Sequence, residues 1–339
     1  MTADDAARFV RRAGVSVTRE LIDQFDADVR RFSSDYLRQP PYVVFRPLAA
    51  LRGEVFGIIE RYPRPEYLTD LYRIAGRVSA LLAHASSDLG QPYAADSHAR
   101  TAWICADLAG DRHLSAYIRW VQANVAYWRG DYHDAIQISR DGQAFAGNSD
   151  DRLRLSSQEA RACAAIRDEH GAVRALADAA DLRSSLSAEA PGRGVFYFGA
   201  GKAAYYASEA RLSLGGETNH RQAIRDAEES LELLATFEHE NSVELTAAAR
   251  LDLVAGRLAS RDLDGAAEGL DPVLQLPGES RTVPIVGRVS DIHRALTDPA
   301  FAGLSLATDM SERLVLFKEV SATRELPQIP NPPRLGELD

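Results

Sequence analysis

Along most of the chain, apolar residues recur at intervals of three and four. Ile224, Ala227, Leu231 and Leu234 form one such run and fall on a single face of a helix. Alternation with a period of two, the mark of a half-buried strand, is nearly absent. The pattern therefore predicts an all-α chain. In ANVAYWRGDYHDAI, Ala123 to Ile136, the helical pattern stops at Trp-Arg-Gly-Asp-Tyr and resumes at Ala135. A glycine at that point ends one helix, and a small residue just after it lets the next helix cross closely. The stretch predicts a helical hairpin.

The hairpin signal recurs. SDLGQPYAADSHARTA places Gly90 at a turn, Tyr93 two residues before Ala95, and further alanines at Ala99 and Ala102. RDEHGAVRALADAADL places His170 and Gly171 at a turn, followed by Ala175 and Ala179, with Cys163 at the spot held by Ala83 and Ala123. A fourth copy turns at Gly215 and Gly216, and a fifth near Arg261 and Asp262, resuming at Ala266. Turns near 90, 130, 170, 215 and 261 predict a right-handed α-solenoid, in which each hairpin buries its apolar face only against its neighbours. About five hairpins are expected over 67–275, with N-terminal helices over 1–66 ahead of them. TVPIVGRVSDIHRALTD and SLATDMSERLVLFKEV are expected to form a capping pair within 276–322. The stretch 323–339 contains RELPQIPNPPRLGELD, with four prolines, and reads as an extended tail or docking arm.

Composition narrows the function. With 339 residues and 45% hydrophobic content there is ample material for a core. The formal net charge of -10 and a pI near 5.4 disfavour direct nucleic-acid binding. No apolar run is long enough to span a membrane and MTADDAARFVRRAG is not a signal peptide, so the expected compartment is the cytoplasm. Cys105 and Cys163 both sit in alanine-rich segments and read as buried thiols.

In stacked hairpins, first helices line the concave face. On the second repeat this places Tyr117, Trp120, Asn124, Tyr127 and Trp128 in one polar-aromatic stripe. Aromatic rings supply contact area at low entropic cost, and an Asn amide can pair with both the donor and the acceptor of a peptide backbone. The same register adds Arg77 and His84 from the first repeat, Ser157 and Arg167 from the third, and Lys202, Tyr205 and Glu209 from the fourth. These residues form a groove of mixed sign suited to a peptide, a polar metabolite or a partner segment. Packing between repeats is the alternative role for Trp120 and Tyr127, and solvated or interhelical ion pairing is the alternative for Arg77, Lys202 and Glu209.

YWRGDYHDAI resembles a tetratricopeptide repeat, with glycine at the turn, an aromatic residue two positions on and the packing alanine five on. SSDYLRQPPYVVFRPLAALRGEVFGII, followed by YRIAGRVSALLAHASSDLGQPYAADSHARTAWICADLAGD, resembles the C-terminal sensory region of actinomycete transcriptional regulators. In that family a phage-repressor-like helix-turn-helix domain precedes tetratricopeptide-type repeats. RRAGVSVTRELIDQF has a superficial likeness to the turn and recognition helix of such a reader, but the residues ahead of Pro40 are too few for its several supporting helices. The resemblance implies a ligand-sensing regulator, with peptides as one ligand class; a homodimer is one assembly such a solenoid could use. The rival reading is a constitutive scaffold or adaptor that senses nothing.

No enzyme and no cofactor are expected. The eight histidines are scattered, with no pair at the helical spacing of metal sites. GRGVFYFGAGKAA lacks the spacing and the preceding strand of a phosphate loop, and reads as the link from the third hairpin to the fourth. Asp150 and Asp151 are expected in a loop, and Glu228 and Glu229 on a polar helix face, as solvated acids.

Overall fold

In a computed structural model, the structure describes residues 17–61, 65–186, 194–236 and 242–320. The proline-rich stretch 323–339 and most of the segment ahead of Thr18 lie outside them. Among the described residues there are fourteen α-helices and no strand. They are α1 (Arg19–Asp35), α2 (Pro41–Arg61), α3 (Pro65–Asp88), α4 (Pro92–Ala109), α5 (Arg112–Arg129), α6 (Tyr132–Gly142) and α7 (Ser149–Ala165). The chain continues with α8 (Glu169–Ser184), α9 (Ala200–Leu214), α10 (Glu217–Thr236), α11 (Val243–Ala259), α12 (Leu263–Leu274), α13 (Val283–Ala295) and α14 (Ser305–Glu319). From α3 onward they pair into antiparallel hairpins that stack as a right-handed α-solenoid. The pair α13–α14 packs on α11 and α12 as a sixth hairpin.

Small residues set the spacing within each hairpin. Ala80 and Ala83 of α3 and Ala95, Ala99, Ala102 and Ala106 of α4 are all buried in one cluster. A methyl at Gly76 would come within 2.8 Å of Leu114 Cδ2 and 3.3 Å of Cys105 Cβ, so α3 is approached closely from both α4 and α5. Both cysteines are free and buried, and burial pushes each thiol up to about 11, which leaves them as packing groups.

Helix starts share one device. Asp111, Asp168 and Asp262 each cap the following helix, accepting from the backbone N–H of Leu114, Gly171 and Gly265. The residue before each Asp is left-handed: Gly110 at φ 62°, Arg167 at φ 61° and Arg261 at φ 64°. This corrects the third turn, which lies at Ile166 to Asp168 rather than at His170 and Gly171. Gly171 is already helical, and a Cβ there would meet Asp168 Oδ2 at 2.3 Å, so the missing side chain serves the cap and not the turn. Asp150 and Asp151 likewise lie in the first turn of α7, not in a loop.

The first helices of the hairpins, α3, α5, α7, α9, α11 and α13, touch in sequence, and α13 also touches α3. The inner layer thus returns on itself, and α1 packs on α3. The described residues just ahead of α9, 194–199, turn inward: Val195 donates its N–H to the Ser33 carbonyl of α1, and Phe198 donates to Asp150. The expected link between third and fourth hairpins is therefore also part of the interior.

Candidate functional site

Closing the inner layer encloses charge. α7 contributes Arg154 and Arg161, α9 Lys202 and Glu209, and α13 Arg288; α3 adds Asp88, and α11 adds Glu244 and Asp252. At their centre is a cavity of about 50 Å3 lined by His84, Asp88, Asn124, Trp128, Arg161, Val195, Lys202, Tyr205, Tyr206, Glu244 and Pro284, with Tyr36 and Leu37 at one edge.

Glu209 is the hub. It lies 2.8 Å from Arg161 and 2.6 Å from Arg288, and it accepts from the Tyr127 hydroxyl at 2.9 Å. Burial alone would raise its pKa, but the two guanidinium groups outweigh burial and hold Glu209 below the usual carboxylate range. Arg288 also reaches Asp252 at 3.1 Å and bonds the Tyr205 hydroxyl. Four inner helices, α5, α7, α9 and α13, are joined through this one carboxylate. Elsewhere burial dominates. It pushes Asp252 up to about 7, raises Asp88 and Glu244, and lowers His84. It also brings Lys202 down to about 7, with Arg154 adding to the effect.

Of the residues predicted from sequence, His84, Asn124, Trp128, Lys202 and Tyr205 line the cavity. Tyr117, Trp120 and Tyr127 are buried behind them, and Glu209 is largely covered, with 12% of its side chain exposed. There the aromatic rings pack against cations, with Arg154 over Tyr117 and Trp120 and Arg161 over Tyr127. Ser157 is buried on α7. Arg77 and Arg167 are not part of the site. Arg77 pairs with Asp26 of α1 at 3.4 Å, because α1 lies along α3, meeting it also at Asp70 through Arg19. Arg167 sits in the α7–α8 turn and donates to the Leu214 carbonyl at 2.6 Å, capping α9.

The sequence reading missed Arg154, Arg161, Arg288, Tyr36, Asp88, Glu244 and Asp252. A signal was present for some of them. Arg154 and Arg161 are spaced by seven, as are Lys202 and Glu209, so each pair shares one helix face in a stretch otherwise rich in Ala and Ser. Tyr36, the tyrosine of the Tyr-x-x-x-Pro-Pro stretch, follows α1 and donates its hydroxyl to Asp88. Among the described residues no group of His, Cys, Asp and Glu is arranged to hold a metal ion, and no helix is long and apolar enough to cross a membrane.

No protein-family model matches the sequence, and no curated protein does. Among solved structures, the chain is similar to one described as the crystal structure of Rap protein complexed with competence and sporulation factor, at 11% identity and a TM-score of 0.55. The match covers 88% of this chain and 76% of that one. At this identity the likeness shows the fold, a tetratricopeptide-like helical repeat.

Proposed function

We propose that this chain is a regulatory tetratricopeptide-like protein that binds a short peptide segment at the centre of its inner layer and converts binding into a change of superhelical shape. The observation that carries this reading is the pair of polar side chains lining the cavity without a hydrogen bond among the described residues, the Asn124 amide and the Lys202 ammonium. Fold alone would be satisfied by apolar residues at both positions, and buried polar groups cost stability unless they are paired. Shape coupling follows from the closed inner layer. A guest in the cavity touches α3, α5, α7, α9, α11 and α13 at once, and small displacements of these helices add along a stack of repeats. The similar solved structure, itself a complex with a factor, is consistent with that use of the fold.

The resemblance of SSDYLRQPPYVVFRPLAALRGEVFGII to actinomycete regulators supports a place in transcriptional control in the cytoplasm, with a helix-turn-helix reader on another chain as the output. A small polar metabolite is a second reading, favoured by the size of the cavity. A constitutive adaptor is the rival reading, and it predicts binding without a change of shape. The test is small-angle scattering of the full chain with and without peptides selected from a random hexapeptide library. A ligand-dependent change in radius of gyration supports the proposal, whereas binding with no change in shape supports the adaptor. Selection of no peptide sinks the peptide reading.

A further inference from the structure

One cation of the interior has no oxygen partner among the described residues. Lys202 is only 9% exposed, lines the cavity, and its Nζ makes no hydrogen bond or ion pair among the described residues. The other cations each have an acceptor close by. Arg161 and Arg288 share Glu209, while Arg154 donates to the Phe196 carbonyl and has Asp150 at 3.8 Å. Lys202 rests instead on aromatic rings, with Nζ 4.6 Å from the Trp120 centroid and 5.4 Å from that of Phe198. Arg154 lies against the same two rings, at 5.3 and 5.6 Å, and its Nε and Nη1 are buried with no partner.

Two cations therefore crowd one pair of rings. Both carboxylates that line the cavity are engaged elsewhere: Asp88 accepts from the Tyr36 hydroxyl and Glu244 from the Thr282 hydroxyl. Burial also favours their neutral forms, which weakens their repulsion of an incoming anion. Aromatic faces compensate a desolvated ammonium only in part, whereas a carboxylate makes a short, charge-assisted hydrogen bond to it.

We infer that the cavity is a subsite for one carboxylate of the bound peptide, received by Lys202 with the Asn124 amide N–H donating beside it. The inference rests on the peptide reading above and names the group that reading left open. Size agrees. About 10–15 Å3 of such space holds one water, so the cavity of about 50 Å3 has room for a carboxylate. The carboxylate can come from the peptide C-terminus or from an Asp or Glu side chain.

The experiment uses the full chain, immobilised, and hexapeptide libraries made in paired C-terminal acid and amide forms, with Asp and Glu positions also present as Asn and Gln. Enriched peptides are then titrated calorimetrically against wild type, Lys202→Met and Asn124→Ala. Lys202→Met keeps an unbranched stem against Trp120, and its thermal melt verifies folding. The expected result is that neutralising one carboxylate weakens binding to wild type about tenfold to a hundredfold. The same change should have almost no effect on Lys202→Met. Sensitivity to the amide form identifies the C-terminus, and sensitivity to Gln or Asn identifies a side chain. Peptides that bind equally well in neutral form overturn the inference while the peptide reading stands, and so does a carboxylate effect that persists in full in Lys202→Met. Enrichment of no peptide overturns both.

Discussion

The molecule has two interiors built on opposite principles. Between the helices of each hairpin runs a dry seam of small residues, typified by Ala80, Ala83, Ala95, Ala99 and Ala102. Inside the inner layer lies a second interior, where Arg161, Arg288, Glu209 and Asp252 are interlocked at 2.6 to 3.1 Å among tyrosine and tryptophan rings. The seam needs only volume, and any hairpin stack with small residues at those positions would serve. The central interior needs particular charges, because a buried ion pair is often no more stabilising than apolar packing of the same shape. That difference separates what specifies the fold from what is available for function.

The contrast can be tested by substitution. The largest effect is expected from Glu209→Ala, which leaves Arg161 and Arg288 buried without their shared carboxylate. It should cost about 3–5 kcal/mol of unfolding free energy in urea titrations. Ala99→Leu probes the seam instead. Overpacking there should cost about 1–3 kcal/mol while leaving peptide affinity unaltered once the variant is folded, and an equal loss of affinity would show that the two interiors are not separable. Asn124→Ala should do the reverse. Its amide has no bond to lose, so stability should change by less than about 1 kcal/mol, while peptide binding falls.

A pH titration sharpens the central side of the comparison. Lys202 sits near 7 because burial and Arg154 lower it, with Arg161 opposing the charge and Asp88 and Glu244 favouring it; His84 and Tyr36 complete the titratable surroundings. Only the ammonium form pairs with a carboxylate. Affinity should therefore be greatest below pH 7 and weaken as pH rises through that value, and in Lys202→Met the dependence should flatten. The smallest expected effect lies in the turns. Arg261 adopts φ 64° with no side-chain bond among the described residues in return, so Arg261→Gly should stabilise the protein by roughly 0.5–1 kcal/mol. Arg167→Gly, which also gives up the bond to Leu214, should be near neutral in the same thermal melts.

Local features were legible in the sequence. Helix period, the turns at Gly90, Gly130 and Gly215, and the alanine seams are encoded within a few residues and need no distant partner. The third turn was misplaced for a specific reason: Arg167 occupies a backbone region where glycine is expected, while Gly171 is a glycine for the sake of the Asp168 cap. The buried charges were the least legible. Arg154 and Arg161 sit on a helix whose mean hydropathy suggests solvent, and their burial depends on α13, far along the chain, returning to α3. Arg288 alone shows nothing of this, because nothing near it in sequence indicates that Glu209 waits across the interior.

That return of α13 to α3 also has a consequence in time. Hairpins can form locally and in any order, since each uses contacts between neighbours in sequence. The meeting of α13 with α3 requires nearly the whole described chain to be in place first, and long-range contacts of this kind are slow to be made. The inner layer should therefore close last during folding. By the same logic its closing contact is the first to open, and the interior charges would reach solvent while the hairpins are still intact.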